Sequence, residues 1–315
     1  MNNQILVNAE AHPDAIVILE ENGFVPVVVP EADVEGSLAA ARDSIAIVAN
    51  ASLAFDEAFF ELASGVKVIG RMGVGYDNVD LEAAGRRGVR VVNTPLSIIE
   101  PVAEHAVMLM LAVLRRLVIG DREAREAMFR QPSNNPDFEL REKTLGIVGM
   151  GRTGFRVAQI ARQGFQMEIL YHDQVKNEAA EGELGASLVS LDELLERSDI
   201  VTLHVNLSDE TRHLINSEAL GKMGQGSYLI NVSRGQVVDE AALVEALRNG
   251  EIAGAGIDVY EQEPPAADNQ LWELDNVIVT PHRAGFSRES VYGSSMVVKD
   301  IVRVLKGEEP RFPVN

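Results

Sequence analysis

The chain has 315 residues, 46% of them hydrophobic and 24% charged, with a formal net charge of −20 at pH 7 and no cysteine. That length points to two domains and that composition to a globular chain with a sizeable core. The acidic balance argues against nucleic acid, whose phosphates call for Lys and Arg, and the missing cysteine excludes disulfides, thiolate metal sites and a catalytic thiol.

Residues 1–15 lack a basic segment followed by a long apolar one, so no export signal is expected. The apolar stretch 102–119 is interrupted by Glu104, His105, Arg115 and Arg116 and does not read as membrane-spanning, which makes the cytoplasm the expected location. From the N-terminus, short apolar runs at Ile5–Val7, Val25–Val29, Ile45–Val48, Val66–Ile69 and Val89–Val92 alternate with helical segments. Continuous apolar runs of that length suit strands of a parallel sheet covered on both faces.

After the Asn93-Thr94-Pro95 turn, Pro101–Arg130 reads as one long helix, and the polar residues 131–137 follow it. A second alternating set comes next: Leu145–Val148, Met167–Tyr171, Ile200–His204, Ser227–Asn231, Gly254–Val259 and Val277–Thr280. The tail Ser287–Leu305 is predicted as a helix too short to form a domain, returning to the first unit. The expected architecture is α/β, two doubly wound parallel-sheet domains with a cleft between them: residues 1–98 plus 287–315, and residues 99–286.

The second unit opens with Gly149-Met-Gly151-Arg-Thr-Gly154 between an apolar strand and an amphipathic helix. In a dinucleotide-binding turn the first glycine allows the sharp bend, the second lets pyrophosphate approach the backbone and the third packs helix on strand. Alone the motif is weak, since many strand-to-helix turns bind nothing. Asp173 strengthens it, because it ends the next strand 24 positions after Gly149, where a carboxylate meets the adenosine ribose hydroxyls. A carboxylate there favours NAD and repels the 2′-phosphate of NADP.

Arg234, Glu263 and His282 each follow an apolar strand of the second unit, at the carboxyl edge where open α/β sheets bind ligands. Singly, they read as an interface ion pair, a solvated loop acid and an ordinary histidine. Together they supply what reduction of a 2-oxo acid demands: a planar cationic fork, a proton carrier titrating near neutrality and a carboxylate to orient that carrier. No HExxH spacing or third ligand supports a metal, and no Gly-x-Ser-x-Gly elbow supports a hydrolase. In the first unit, Gly73, Val74 and Gly75 form a strand-end turn whose backbone N–H groups could face an anion.

The segments 70–80, 102–105, 149–154, 231–240, 258–264 and 280–285, in that order, resemble those of the D-isomer-specific 2-hydroxyacid dehydrogenase family over nearly the whole length. The resemblance implies a flavodoxin-like substrate domain and a Rossmann cofactor domain, with NAD as cofactor and a small D-2-hydroxy or 2-oxo acid as substrate. It makes His282 the acid/base, Glu263 its partner and Arg234 the substrate anchor, with Gly73, Val74 and Gly75 on the substrate carboxylate. By the same resemblance the cofactor meets Gly149, Gly151, Arg152, Thr153 and Gly154 at the pyrophosphate and Asp173 at the ribose. It runs along Val205, Val232 and Ser233, and reaches Val102, Asp258 and Ala284 near the nicotinamide.

Departures from the family pattern fall at Leu96-Ser97-Ile98, at Glu100-Pro101, at Asn206 and across residues 129–137, and they bear on which acid is the substrate. Glyoxylate and hydroxypyruvate reduction stay open. A D-3-phosphoglycerate dehydrogenase is the nearest alternative, although the 48–52 loop carries no cation for a phosphate. An NAD-sensing, corepressor-like binding protein is the alternative from another class. The resemblance also implies a homodimer, with the Arg122–Asp137 region as a contact.

Overall fold

The computed structural model describes residues 3–50, 52–128 and 138–315, and the chain divides into two compact units, Met1–Ile99 with Gly285–Asn315, and Glu100–Ala284. In the first, β1 (Gln4–Asn8), α1 (Pro13–Glu21), β2 (Val25–Val28), α2 (Val34–Arg42), β3 (Ala46–Ala49), α3 (Glu57–Leu62), β4 (Val68–Arg71), α4 (Leu81–Arg86) and β5 (Arg90–Val92) alternate strictly. The five strands are parallel in the order β2-β1-β3-β4-β5, the flavodoxin-like winding. Asp33, Asp56 and Asp80 start α2, α3 and α4 by accepting a backbone N–H of the first turn.

The apolar runs are explained by burial on both faces. Successive side chains of a strand point to opposite sides, so Leu6, Ile47, Ile69 and Val91 enter one core with Phe55, Phe59 and Phe60. Ile5, Val7, Ala46, Val48, Val68 and Val92 enter the other, which the returning C-terminal segment closes with Val297, Val298 and Ile301.

The second unit begins with α5 (Ile99–Leu114) and α6 (Leu117–Arg125) and continues through β6 (Thr144–Val148), α7 (Arg152–Phe165), β7 (Glu168–His172), α8 (Glu178–Leu184), β8 (Ser187–Leu188), α9 (Leu191–Arg197), β9 (Ile200–Leu203), α10 (Ser217–Lys222), β10 (Tyr228–Asn231), α11 (Glu240–Asn249), β11 (Gly254–Ile257) and β12 (Val277–Val279). Its seven parallel strands run β12-β11-β10-β9-β6-β7-β8. This is the Rossmann winding with one added strand, and the order reverses between β6 and β9, where such sheets bind ligands beyond the carboxyl ends. The chain then returns as α12 (Arg288–Ser295) and α13 (Val297–Leu305).

Two helical expectations are corrected. The helix expected over Pro101–Arg130 is, among the described residues, two helices, broken at Arg116, whose left-handed φ of 48° interrupts the backbone ladder. The apolar stripe running on through Leu117 and Val118 concealed the break, because both residues lie exposed on α6 instead of continuing the buried face of α5. The tail is likewise two helices, meeting at Met296. Strand β8 escaped notice because two exposed edge residues carry no periodicity. The polar stretch 129–137 lies outside the described residues. Among the described residues no helix is long and apolar enough to cross a membrane.

Candidate active site and cofactor cradle

The glycine turn joins β6 to α7. Gly149 has φ +94°, and a Cβ there would sit 2.8 Å from the His204 backbone. A Cβ on Gly154 would lie 2.1 Å from the Gly149 oxygen, so helix and turn meet backbone to backbone. A Cβ on Gly151, by contrast, would meet nothing within 4 Å. That open side is also where α7 starts, and Gly151 caps it with no side-chain hydrogen bond, which leaves the first-turn N–H groups of this fourteen-residue helix to a ligand.

Asp173 stands half-buried just past β7, and its Oδ2 accepts the Met150 N–H at 2.7 Å. It is therefore tied into the glycine turn. Asn177, which sequence reasoning missed, donates to the Met150 oxygen at 2.9 Å and closes the same loop. Val205 follows β9 and lies against Gly149. Val102, Val232, Ser233, Asp258 and Ala284 are all buried. A dinucleotide fits these residues: an open glycine, a free helix start and a carboxylate at the end of the second strand.

At the carboxyl edge of β10–β12 the three candidate polar residues converge. His282 Nδ1 lies 2.7 Å from Glu263 Oε2, and Glu263 Oε1 accepts the Tyr260 N–H at 3.1 Å. The Glu263 contact raises the His282 pKa above its ordinary 6.5, against a smaller opposing effect of burial and of the nearby Arg234 charge. Burial alone would raise Glu263, but the hydrogen bonds from His282 and the Tyr260 N–H, aided by the charges of His282 and Arg234, hold its carboxyl below the usual range. Arg234 leaves β10 through Ser233, its guanidinium donating to the Ser233 oxygen at 2.8 Å and its own oxygen accepting from Asn231.

Asp258, fully buried, braces this loop from behind. Its Oδ1 accepts the Arg283 N–H and its Oδ2 the Ala284 N–H, both at 2.8 Å, while its backbone oxygen accepts the His282 N–H at 2.8 Å. Thr280 Oγ1 also donates to it, and His105 Nε2 lies 3.0 Å from that hydroxyl and 3.4 Å from Asp258 Oδ1. Burial works to raise the Asp258 carboxyl, but these four donors hold it below its ordinary value. The brace matters because His282 sits at φ +50°, a strained setting for a side chain that costs on the order of 1–3 kcal/mol and persists only when surroundings impose it. Sequence reasoning missed both the brace and His105; the motif around His105 was visible, but its contact with Asp258 joins residues far apart in the chain.

In the first unit the Gly73–Gly75 turn follows β4. Gly73 has φ +107°, and its N–H, expected to face a substrate carboxylate, instead donates to Thr94 Oγ1 at 2.9 Å. Among the described residues no acceptor is recorded for the N–H groups of Val74 and Gly75, and both residues are half-buried. Among the described residues no group of three or more His, Asp or Glu could hold a metal ion.

Residues 107–284 match the family model for the NAD-binding domain of D-isomer-specific 2-hydroxyacid dehydrogenases. The chain is 42% identical over 278 residues to a glyoxylate reductase of Korarchaeum cryptofilum, covering 87% of this chain and 83% of that one. It is 38% identical to a D-3-phosphoglycerate dehydrogenase of Archaeoglobus fulgidus, over 99% of this chain but 59% of that longer protein. Among solved structures, a D-lactate dehydrogenase from Aquifex aeolicus complexed with NAD and lactic acid superposes with a TM-score of 0.87 at 32% identity, covering 97% of this chain and 96% of that one.

Proposed function

Because the chain belongs to the D-isomer-specific 2-hydroxyacid dehydrogenase family and is an NAD-dependent oxidoreductase, we propose that it reduces a small 2-oxo acid, with glyoxylate or hydroxypyruvate the first candidates, to the corresponding 2-hydroxy acid, of D configuration wherever C2 becomes a stereocentre. The observation that carries this reading is the His282–Glu263 pair, with Arg234 close enough for its charge to act on both.

NADH, when bound, would supply the hydride for C2 of the substrate. The chain's own residues do the rest. Glu263, facing Nδ1, keeps the proton on that nitrogen and favours the imidazolium, so Nε2 is the atom that gives a proton to the carbonyl oxygen. The product is the hydroxy acid, and His282 is left neutral. Arg234 holds the carboxylate or carbonyl with its planar fork. In the first unit, the N–H groups of Val74 and Gly75 are the backbone donors offered to a carboxylate. In the cofactor cradle, Gly149, Gly151, Arg152, Thr153 and Gly154 take the pyrophosphate and Asp173 the ribose. Val205, Val232 and Ser233 line the cofactor, and Val102, Asp258 and Ala284 stand at the nicotinamide end.

Glyoxylate reductase relatives support the small-acid reading, and the 48–52 loop without a cation speaks against a phosphorylated acid. We infer further that the protein is cytoplasmic and a homodimer. The exposed apolar side chains Met108, Leu111, Leu117 and Val118 of α5 and α6 suit burial by a second copy, whereas the Arg122–Asp137 contact runs into residues outside those described. Light scattering on the purified protein checks the dimer.

The deciding experiment is a panel of 2-oxo acids, each with NADH and with NADPH, followed by loss of reduced-nicotinamide absorbance. Turnover with glyoxylate or hydroxypyruvate and NADH supports the proposal. Binding of NADH without turnover on any 2-oxo acid overturns it in favour of an NAD sensor.

A further inference from the structure

Thr94 lies just past the end of β5, outside the residues given a role above. It is nevertheless the side chain most directly engaged with the Gly73–Gly75 turn. Its Oγ1 accepts the Gly73 N–H at 2.9 Å, and its own N–H donates to the Gly73 oxygen at 3.0 Å. Both polar groups of the Gly73 peptide positions facing it are thus taken, 21 positions away in sequence. Next to it, Asn93 Nδ2 donates to the Val74 oxygen at 2.8 Å. Both Asn93 and Thr94 are buried.

The Thr94 hydroxyl is itself held. Ser97 Oγ lies 3.3 Å from it and 2.9 Å from the Thr94 oxygen, and Ser97 Oγ pairs with Ser294 Oγ of α12 at 2.8 Å. A run of hydroxyls therefore anchors the turn to the helix that returns to this unit.

The chemical consequence concerns which donors remain. Three successive N–H groups could serve an anion, and one of them is withdrawn by Thr94. Gly73 adopts φ +107°, a conformation that a free glycine leaves readily. With the Gly73 N–H and oxygen both pinned, the turn has one arrangement, and the N–H groups of Val74 and Gly75 remain the pair for a carboxylate. Two donors held in advance bind an anion with less ordering to be done on binding.

We propose that Thr94 is a positioning residue for the substrate carboxylate: by holding the Gly73 peptide groups it presets the Val74 and Gly75 N–H pair. The proposal rests on the 2-oxo acid reading above, and it assigns Thr94 to ground-state and transition-state binding alike, with no part in proton transfer.

The test compares wild type with Thr94→Val, which keeps the shape and loses the hydroxyl, and with Thr94→Ser, which keeps the hydroxyl. Loss of the hydrogen bond to the half-buried Gly73 N–H predicts a KM for the 2-oxo acid raised about tenfold in Thr94→Val, with kcat lowered by less than about threefold. The affinity for NADH, read by fluorescence, stays as in wild type, and Thr94→Ser returns KM to near the wild-type value. A merely structural role would lower kcat and NADH binding together and would not be rescued selectively.

Binding of oxamate, an unreactive 2-oxo acid analogue, to the protein–NADH complex gives the same comparison without turnover. If wild type turns over no 2-oxo acid yet Thr94→Val weakens oxamate binding and Thr94→Ser restores it, the functional reading fails and the role of Thr94 stands. Equal oxamate affinity and equal KM in Thr94→Val and wild type, or no oxamate binding by wild type, overturn the proposal.

Discussion

His282 Nδ1 and Glu263 Oε2 stand 2.7 Å apart, and the carboxylate raises the histidine above its ordinary pKa of 6.5. In the proposed mechanism reduction uses protonated His282, so its rate is highest below that raised pKa and falls as pH climbs through it. In Glu263→Gln the charge that favours the imidazolium is gone, and the His282 pKa drops back. The alkaline limb of kcat/KM for reduction therefore moves to lower pH. A pH–rate profile checks this, and an unmoved limb refutes it. Removing the proton donor itself, as in His282→Ala, lowers kcat by roughly 10²–10⁴-fold at saturating substrate.

In the proposed mechanism Arg234 is a charge-assisted donor to the substrate. Such bonds are worth roughly 1.5–3 kcal/mol, so Arg234→Ala raises KM for the 2-oxo acid by one to two orders of magnitude. Arg234→Lys recovers only part of the loss, because a point charge does not reproduce the planar fork. Steady-state kinetics on both variants, with NADH affinity as the control, decide it. Full activity in Arg234→Ala sinks the assignment.

Asp258 offers both oxygens to backbone N–H groups of the His282 loop. In Asp258→Asn one of those acceptors becomes a donor facing an N–H group, which costs about 1–3 kcal/mol of stability for the group left unmatched. The left-handed backbone at His282 is then no longer imposed, and kcat falls along with stability. Denaturant unfolding and kcat, measured on the same preparation, test the pair of effects; a drop in neither shows that the brace is dispensable.

Asp173 secures Met150, and in the proposed cofactor site its carboxylate discriminates against NADPH. Asp173→Ala therefore weakens NADH binding and narrows the preference over NADPH, since the carboxylate that repels the 2′-phosphate is removed. The ratio of kcat/KM values with the two cofactors reads the change directly. A ratio as large as that of wild type overturns this role for Asp173.

Most of the architecture was legible in the chain itself. Strand positions and the two α/β units followed from apolar runs, because a parallel strand buried on both faces needs apolar residues at every position. The glycine turn was legible for the same local reason: its bend, open side and helix start are all encoded within Gly149–Gly154. Arg234, Glu263 and His282 could be named because each follows a recognisable strand.

What remained hidden depended on residues distant in sequence. Nothing around Arg116 announces the break between α5 and α6, since the apolar pattern continues and only exposure of Leu117 and Val118 tells the two helices apart. Asp258 could be named only for its place in a family segment; that it also accepts N–H groups 25 and 26 positions away appears only on folding. Gly73 looked like a free donor until β5 laid Thr94 beside it. Local conformation and burial pattern are written in short windows, but the hydrogen-bond partner of a buried polar group is chosen by which strands become neighbours, and that is settled only when the sheets assemble.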